Sequence, residues 1–357
     1  MIKLEAIKAI QNEEGLSAEF RVEASKKWNN VVSQIQHIPT VYTEYQIDYQ
    51  HAYFKEIYAN LLNVSLVIFN GKYPCGIWPL SIISHSTDPI RSVSNQYGDI
   101  VIPPLFIDNF PKKSQRKVIK SCINFLNKLL ELCKGEFWRA SAFSTEISLS
   151  QWYQISLEKG GALSRVDYEM YVDLSMTIEE IRKFIRKSYR PLVSSGLKKW
   201  KVLVLDYYCE DIWTRFRELH RAVSGRVTRP LETWNLQHDA IKTKQAFLVY
   251  ILNENGDMVG GGLFDIGKNE SSYAVGVYDR NLSDQPLGHL IQYRAIEEML
   301  KRNLRWYYIG PRFYKEELPF VTEKQVNISS FKQGFSSHLF PRIGLIFSKS
   351  LIKNENN

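Results

Sequence analysis

The sequence predicts an α+β fold built from two similar halves, each a mixed, largely antiparallel sheet flanked by helices. Three observations carry this expectation. Asn70-Gly71 separates two β-rich runs within residues 65–83, and this dipeptide is a strong hairpin signal because it tolerates the positive φ values a tight turn demands. Asn255-Gly256-Asp257 occupies the matching place within residues 246–266. Each hairpin is followed by an amphipathic helix and then by a short aromatic-rich segment, so the same order occurs twice at a spacing near half the chain, as a tandem duplication would leave it.

Taken in order, the helix after the first hairpin spans residues 114–134, with Val118, Cys122, Phe125, Leu126, Leu129 and Leu130 on one face. Residues 136–143 then read as a buried strand. A strand at 168–174 opens the second half. Thr177 and Glu180 have capping-box spacing, and Ile178, Ile181 and Ile185 continue at helical intervals, which predicts a helix that Pro191 ends. Arg182, Arg186 and Arg190 lie four apart and would share one face of it. The second hairpin leads to a strand carrying Tyr273 and Tyr278. Five residues apart on a regular strand, they would face opposite ways, so only one could line a cleft. A helix over 287–301 presents Leu290, Ile291, Ala295 and Leu300, and residues 305–309 form the matching strand. The domain boundaries expected are 1–168 and 169–345, with a polar tail at 346–357.

With 357 residues, 44% hydrophobic and 24% charged, the chain has material for two cores and is not globally disordered. Its apolar runs fall short of the roughly 20 residues a bilayer span needs, and the N-terminus has no uninterrupted apolar stretch, so neither a transmembrane segment nor a secretion signal is expected. A cytoplasmic protein is the expectation. The four cysteines, Cys75, Cys122, Cys133 and Cys209, contain no C-x-x-C pair, and the seven histidines form no H-x-x-x-H or H-x-H cluster. The pattern implies buried thiols and no metal site.

The net charge of +8 is unevenly placed. Residues 1–170 hold 18 basic and 17 acidic side chains, leaving 28 and 21 of the chain's 46 and 38 for the second half. Residues 182–201 carry eight basic residues and no acidic one, a stretch suited to phosphates or another anionic partner.

Two hairpin strands, a further strand and a helix are also the core order of the acyl-CoA N-acetyltransferase (GNAT) fold. Residues 279–288 then stand where that family seats a donor pyrophosphate on a helix N-terminus. More specifically, the second half resembles the FemAB-type N-acyltransferases, which consist of tandem GNAT-like domains. The resemblance lies in Tyr171–Ser175 followed by the basic stretch to Arg190; in Phe216–His220, Gly225–Arg229 and Trp234, as in sugar-modifying members; in Gly260–Leu263 with Ser272–Gly276; and in Phe331-Lys332-Gln333-Gly334-Phe335, which fits an F-K-x-G-F signature. It implies an enzyme that transfers an acyl or aminoacyl group to an amino group of a sugar-containing precursor of a bacterial cell-surface polysaccharide or glycan. Acyl-CoA or aminoacyl-tRNA would be a cosubstrate and no cofactor would stay bound. The acceptor would be a sugar nucleotide or a lipid-linked glycan. Classical members of the group use charged tRNA to extend peptidoglycan peptides for the cell wall, and this is the alternative. A noncatalytic nucleic-acid-binding module is the second alternative.

Acyl transfer to an amine needs a neutral nucleophile, a path for its proton and donors aimed at the developing oxyanion. The resemblance gives Lys332 the task of meeting phosphate or negative charge near the reacting carbonyl. Arg226 and Arg229, beside Trp234, suit a diphosphate with an adjoining ring. Arg190 belongs to the basic stretch. His220 would relay a proton, Tyr273 would line the cleft from its strand, and Gln292 and Tyr293 would reach the acyl group from the following helix. In the first half, Asn95, Tyr97 and Asp99 in a turn are a further polar group.

Overall fold

The computed structural model describes residues 2–58, 60–84, 91–94, 100–142, 150–318 and 320–348. Asn95, Tyr97 and Asp99 lie outside the described residues. The chain forms two compact units, one of residues 1–36, 50–167 and 341–357, the other of residues 37–49 and 168–340. The linear division at residue 168 is therefore crossed twice, by residues 37–49 and by the C-terminal stretch from Pro341. The polar tail expected from residue 346 gives its first three residues to the strand His338–Ser348, where Phe347 stacks on Trp138 at 3.9 Å.

In the first unit the hairpin Leu66–Asn70 and Tyr73–Trp78 turns at Gly71, whose φ is 64°. Ala18–Phe20 and Leu105–Phe106 flank it in an antiparallel sheet. The helix Lys112–Leu132 follows and buries the anticipated apolar face, Cys122, Phe125, Leu126, Leu129 and Leu130. Phe137–Ala142 then runs parallel to Ile100–Val101 and antiparallel to residues 343–348. Trp78, Trp138 and Trp152 fill the core. Each fully buried Leu, Ile or Phe there contributes about 1.5–3 kcal/mol.

The second unit repeats the order. Ala246–Leu252 and Met258–Ile266 pair across a turn at Gly256, Glu270–Tyr278 adds to them, the helix Leu287–Lys301 crosses over, and Trp306–Arg312 returns. The sheet runs Lys201–Leu205, Ala246–Leu252, Met258–Ile266, Glu270–Tyr278, Trp306–Arg312 and residues 168–173 of Ala162–Asp173. Its two faces carry separate cores. Phe247, Val249 and Phe264 pack with the helix Leu287–Lys301, whereas Leu248, Leu263 and Val275 pack with Glu210–Ser224 and Leu231–Lys242. The glycines of Met258–Ile266 let both helix layers approach. A Cβ on Gly261 would fall 2.6 Å from Phe216 on one face, and one on Gly262 would fall 2.6 Å from Ile291 on the other.

Residues 37–49 strap onto this sheet. Ile38 bridges to Lys268, the Thr40 amide donates to the Glu270 carboxylate at 3.1 Å, and the Tyr45 hydroxyl donates to Asp265 at 3.1 Å.

The basic stretch differs from expectation. The capping box is present, with Thr177 and Glu180 exchanging hydrogen bonds, but the helix stops at Phe184 and a second begins at Tyr189. Pro191 ends nothing: it sits in the first turn of Tyr189–Lys199, where a missing N–H leaves no hydrogen bond unmade. The break at Ile185, extended at ψ 130°, takes Arg182, Arg186 and Arg190 off a common face.

Candidate functional site

The parallel pairing of Glu270–Tyr278 with Trp306–Arg312 is recorded only from Glu270 to Ser272, opposite Trp306 to Tyr308. Beyond it the ladder ends, and the pairing on the other side of Glu270–Tyr278 is irregular. A bulge between Leu263 and Phe264 places Phe264 opposite Tyr273 but Leu263 opposite Val275, adding one residue to the Tyr273 side. The extra residue shifts the alternation. Tyr273 and Tyr278 therefore do not point to opposite faces, as a regular strand would have it; their hydroxyls meet at 2.9 Å. Gly276 between them makes room, since a Cβ there would lie 1.7 Å from the Tyr273 hydroxyl.

The helix Leu287–Lys301 supplies Gln292 beneath them. Gln292 is fully buried and accepts a hydrogen bond from the Tyr307 hydroxyl at 2.5 Å, while its own Nε2 has no acceptor among the described residues. No side chain caps the first turn of this helix, and Gly288 there lies against Tyr278 and Phe331.

From the helix Glu323–Gln333 comes Lys332. Its Nζ stands 4.9 Å from the centre of the Tyr273 ring, over the face. Gly310, at φ 129°, lets it sit there, because a Cβ would approach the Nζ to 3.2 Å. Burial pushes the Lys332 ammonium down to about 8, and the nearby Glu169 carboxylate opposes that shift. Glu169 is itself buried and accepts from the Tyr308 hydroxyl at 2.6 Å. Burial also raises both tyrosines; for Tyr278 the Tyr273 hydroxyl adds to it, whereas for Tyr273 the Tyr278 and Gln292 side chains partly offset it. The result is one ammonium, two joined hydroxyls and a buried amide directed at the Tyr273 hydroxyl, where the pairing of two strands ends.

The fold brings Lys332, Tyr273 and Gln292 near one another and leaves the other candidate residues apart. His220 is on the opposite face of the sheet. It packs edge-on against Trp234 at 5.1 Å, within the core that holds Phe216 and Leu263, and burial and then the Arg229 charge lower its pKa. Adjacent residues of a strand face opposite ways, so the sheet stands between His220 and the pair Lys332 and Tyr273. Trp234 has its ring face covered by the Arg229 guanidinium at 4.7 Å. Arg229 also donates to Tyr49 at 3.0 Å, whereas Arg226 is exposed beside Glu218 and Arg221 in an open depression. The two forks thus have different surroundings rather than one diphosphate to share. Arg190 donates to the Ile185 and Lys183 carbonyls at 2.9 and 2.7 Å, which satisfies the C-terminal end of the short helix Ile178–Phe184. Tyr293 is buried in the core under Arg182.

Tyr278, Tyr307 and Glu169 join the site without having been singled out for it. The bulge that turns Tyr278 inward leaves no mark in the sequence, because Leu263 and Phe264 fit a regular strand equally well.

Among the described residues no group of three or more His, Cys, Asp or Glu is placed to hold a metal ion. No helix among them is long and apolar enough to cross a membrane. Cys75, Cys122 and Cys133 are buried and Cys209 is partly exposed, all four outside any disulfide.

No protein family's sequence profile matches the chain. No curated protein matches it by sequence. Solved structures do match. FemX aligns at a TM-score of 0.68 with 12% identity, over 92% of this chain and 98% of FemX. L-PGS from Bacillus licheniformis aligns at 0.53 and 12% identity, over 99% of this chain and 94% of that one. A conserved protein of unknown function from Bacteroides thetaiotaomicron aligns at 0.55 and 8% identity, over 93% and 99%. The chain therefore shares the fold of FemX and of L-PGS.

Proposed function

We propose that the protein is an acyltransferase that moves an acyl or aminoacyl group onto an amino group of a sugar-containing precursor of a bacterial cell-surface polysaccharide or glycan. One observation carries the acyl-transfer part: the half-buried Lys332 ammonium, the joined Tyr273 and Tyr278 hydroxyls and the buried Gln292 amide converge where the strands Glu270–Tyr278 and Trp306–Arg312 cease to pair. The acceptor part rests on the sequence resemblance of residues 216–234 to sugar-modifying members of the FemAB group and not on their position, which lies across the sheet from Lys332.

In the proposed reaction the neutral amine attacks the acyl carbon and the carbonyl electrons move onto oxygen. A site shielded from water strengthens every charge interaction with that oxygen, so an ammonium and hydroxyl donors fixed in advance lower the barrier most. Lys332 supplies the charge. The linked Tyr273 and Tyr278 hydroxyls pass on the proton that the amine must lose as the intermediate expels a thiolate or an alkoxide.

A second reading, an aminoacyl-tRNA-dependent transferase that extends peptidoglycan peptides, is favoured by the fold likeness to FemX and by the exposed Lys183, Lys187, Lys198 and Lys201. Incubation with acyl-CoAs, charged tRNA and UDP-amino sugars, read by mass spectrometry, separates the readings. The first gives an acylated amino sugar, and product that forms only from charged tRNA and a peptide acceptor replaces it with the second.

A further inference from the structure

Arginines of the second unit are largely tied to oxygens: Arg186 to the Ser330 carbonyl, Arg190 to two carbonyls, Arg302 to Asp206 and Glu298. Lys332 is not. Among the described residues its Nζ has no hydrogen-bond acceptor and no ion-pair partner at contact distance; it lies over the Tyr273 ring, close to the Gly310 backbone, with the Glu169 carboxylate near enough to act on its charge. An amine held in an ion pair must break that pair before its lone pair is available. This one gives up a ring contact and the attraction of Glu169 but no hydrogen-bonded pair, and burial outweighs that attraction in favour of its neutral form.

We propose that Lys332 is a modification site: when no amine acceptor occupies the cleft, its Nζ takes the acyl group of an activated ester or thioester and becomes an amide. The inference rests on the acyl-transfer reading of the same cleft. The neutral Nζ attacks the acyl carbon, the N–C bond forms, the C–S or C–O bond breaks, and the departing thiolate or alkoxide takes the proton that nitrogen releases. The product carries no charge and fills the space over Tyr273, so the chain that has modified itself no longer stabilises an oxyanion. Acceptor shortage would thus switch the protein off.

The test uses the full chain and a small thioester, S-acetyl-N-acetylcysteamine, with p-nitrophenyl acetate as the ester arm. Acetylation is followed over time by peptide mass spectrometry, comparing Lys332 with the exposed Lys324 on the same helix. Lys332 is expected to react about tenfold faster, as a desolvated lysine does, and the difference should vanish in denaturant. Equal or slower labelling of Lys332 in the folded chain overturns the inference. Transfer to an amine acceptor is measured on the same samples. A chain that transfers but does not label Lys332 preferentially keeps the proposed function and loses this inference, whereas preferential labelling without any transfer removes the proposed function itself.

Discussion

Replacing Lys332 by Met removes a charge that the fold holds at a disadvantage. The fall from 10.5 to about 8 corresponds, at roughly 1.4 kcal/mol per pH unit, to about 3 kcal/mol of native-state cost while Lys332 is protonated. Residual exposure reduces that figure, and the lost cation–π contact with Tyr273 offsets about 1 kcal/mol more. Lys332→Met should therefore be more stable than the parent by about 1–2 kcal/mol near neutral pH. The sign with pH follows from a folded-state value below the unfolded one. The cost is fully present below about 8 and disappears as pH rises past 10.5, so the advantage of the variant should shrink over that window. Urea titrations of both proteins at several pH values measure it. A variant that is less stable at neutral pH, or whose advantage does not change with pH, would show that the Nζ is not desolvated as described. The same variant should lose acyl transfer while gaining stability, a pairing that a merely structural lysine would not give.

Gly276→Ala should displace the Tyr273 hydroxyl, because the added Cβ would fall 1.7 Å from it; transfer should drop by about 100-fold, the scale of losing one preorganised donor, and unchanged turnover would remove Tyr273 from the site. Burial raises Asp265 to about 7, so the stability its protonated form contributes is full below about 3.8 and is lost as pH rises through about 7. Thermal melts should show the parent losing stability from pH 5 to pH 8 relative to Asp265→Asn, by up to roughly 3 kcal/mol, whereas parallel curves would contradict it. Thr177→Ala should destabilise by about 1 kcal/mol in urea through loss of the capping box, with transfer unchanged. Ribonuclease treatment should leave transfer intact if the donor is an acyl-CoA, and abolish it if the donor is charged tRNA.

Much of the architecture was legible because it depends on local signals. Asn70-Gly71 and Asn255-Gly256 mark turns whose glycines adopt positive φ, and the helices over 112–132 and 287–301 bury the faces their spacing defines. What failed depends on residues far apart in the chain. Pro191 looks like a helix end, but it is as well suited to a first turn, and only the packing of Ile185 and Tyr189 decides between the two. The strap at 37–49 docks through Asp265 and Glu270, more than 200 residues away, and no periodicity announces that. At the candidate site, Lys332 comes from the F-K-x-G-F resemblance, and Tyr273 and Gln292 from their places on the strand and the helix that follows it. His220 and Trp234 belong to the resembling segment 216–234, and the alternation of Gly261 and Gly262 toward opposite helix layers separates them from the other three. Tyr278 was set aside by an ideal period of two that the bulge at Leu263 and Phe264 breaks.

The central claim is that the parted strands around Lys332 form an acyl-transfer cleft. Its most direct measurement is product formation by the parent and by Lys332→Met, each given acyl-CoAs, charged tRNA and UDP-amino sugars and read by mass spectrometry. The parent should yield an amine whose mass has grown by one acyl group, and the variant, still folded, should yield none. Product formed equally by both proteins would contradict the claim.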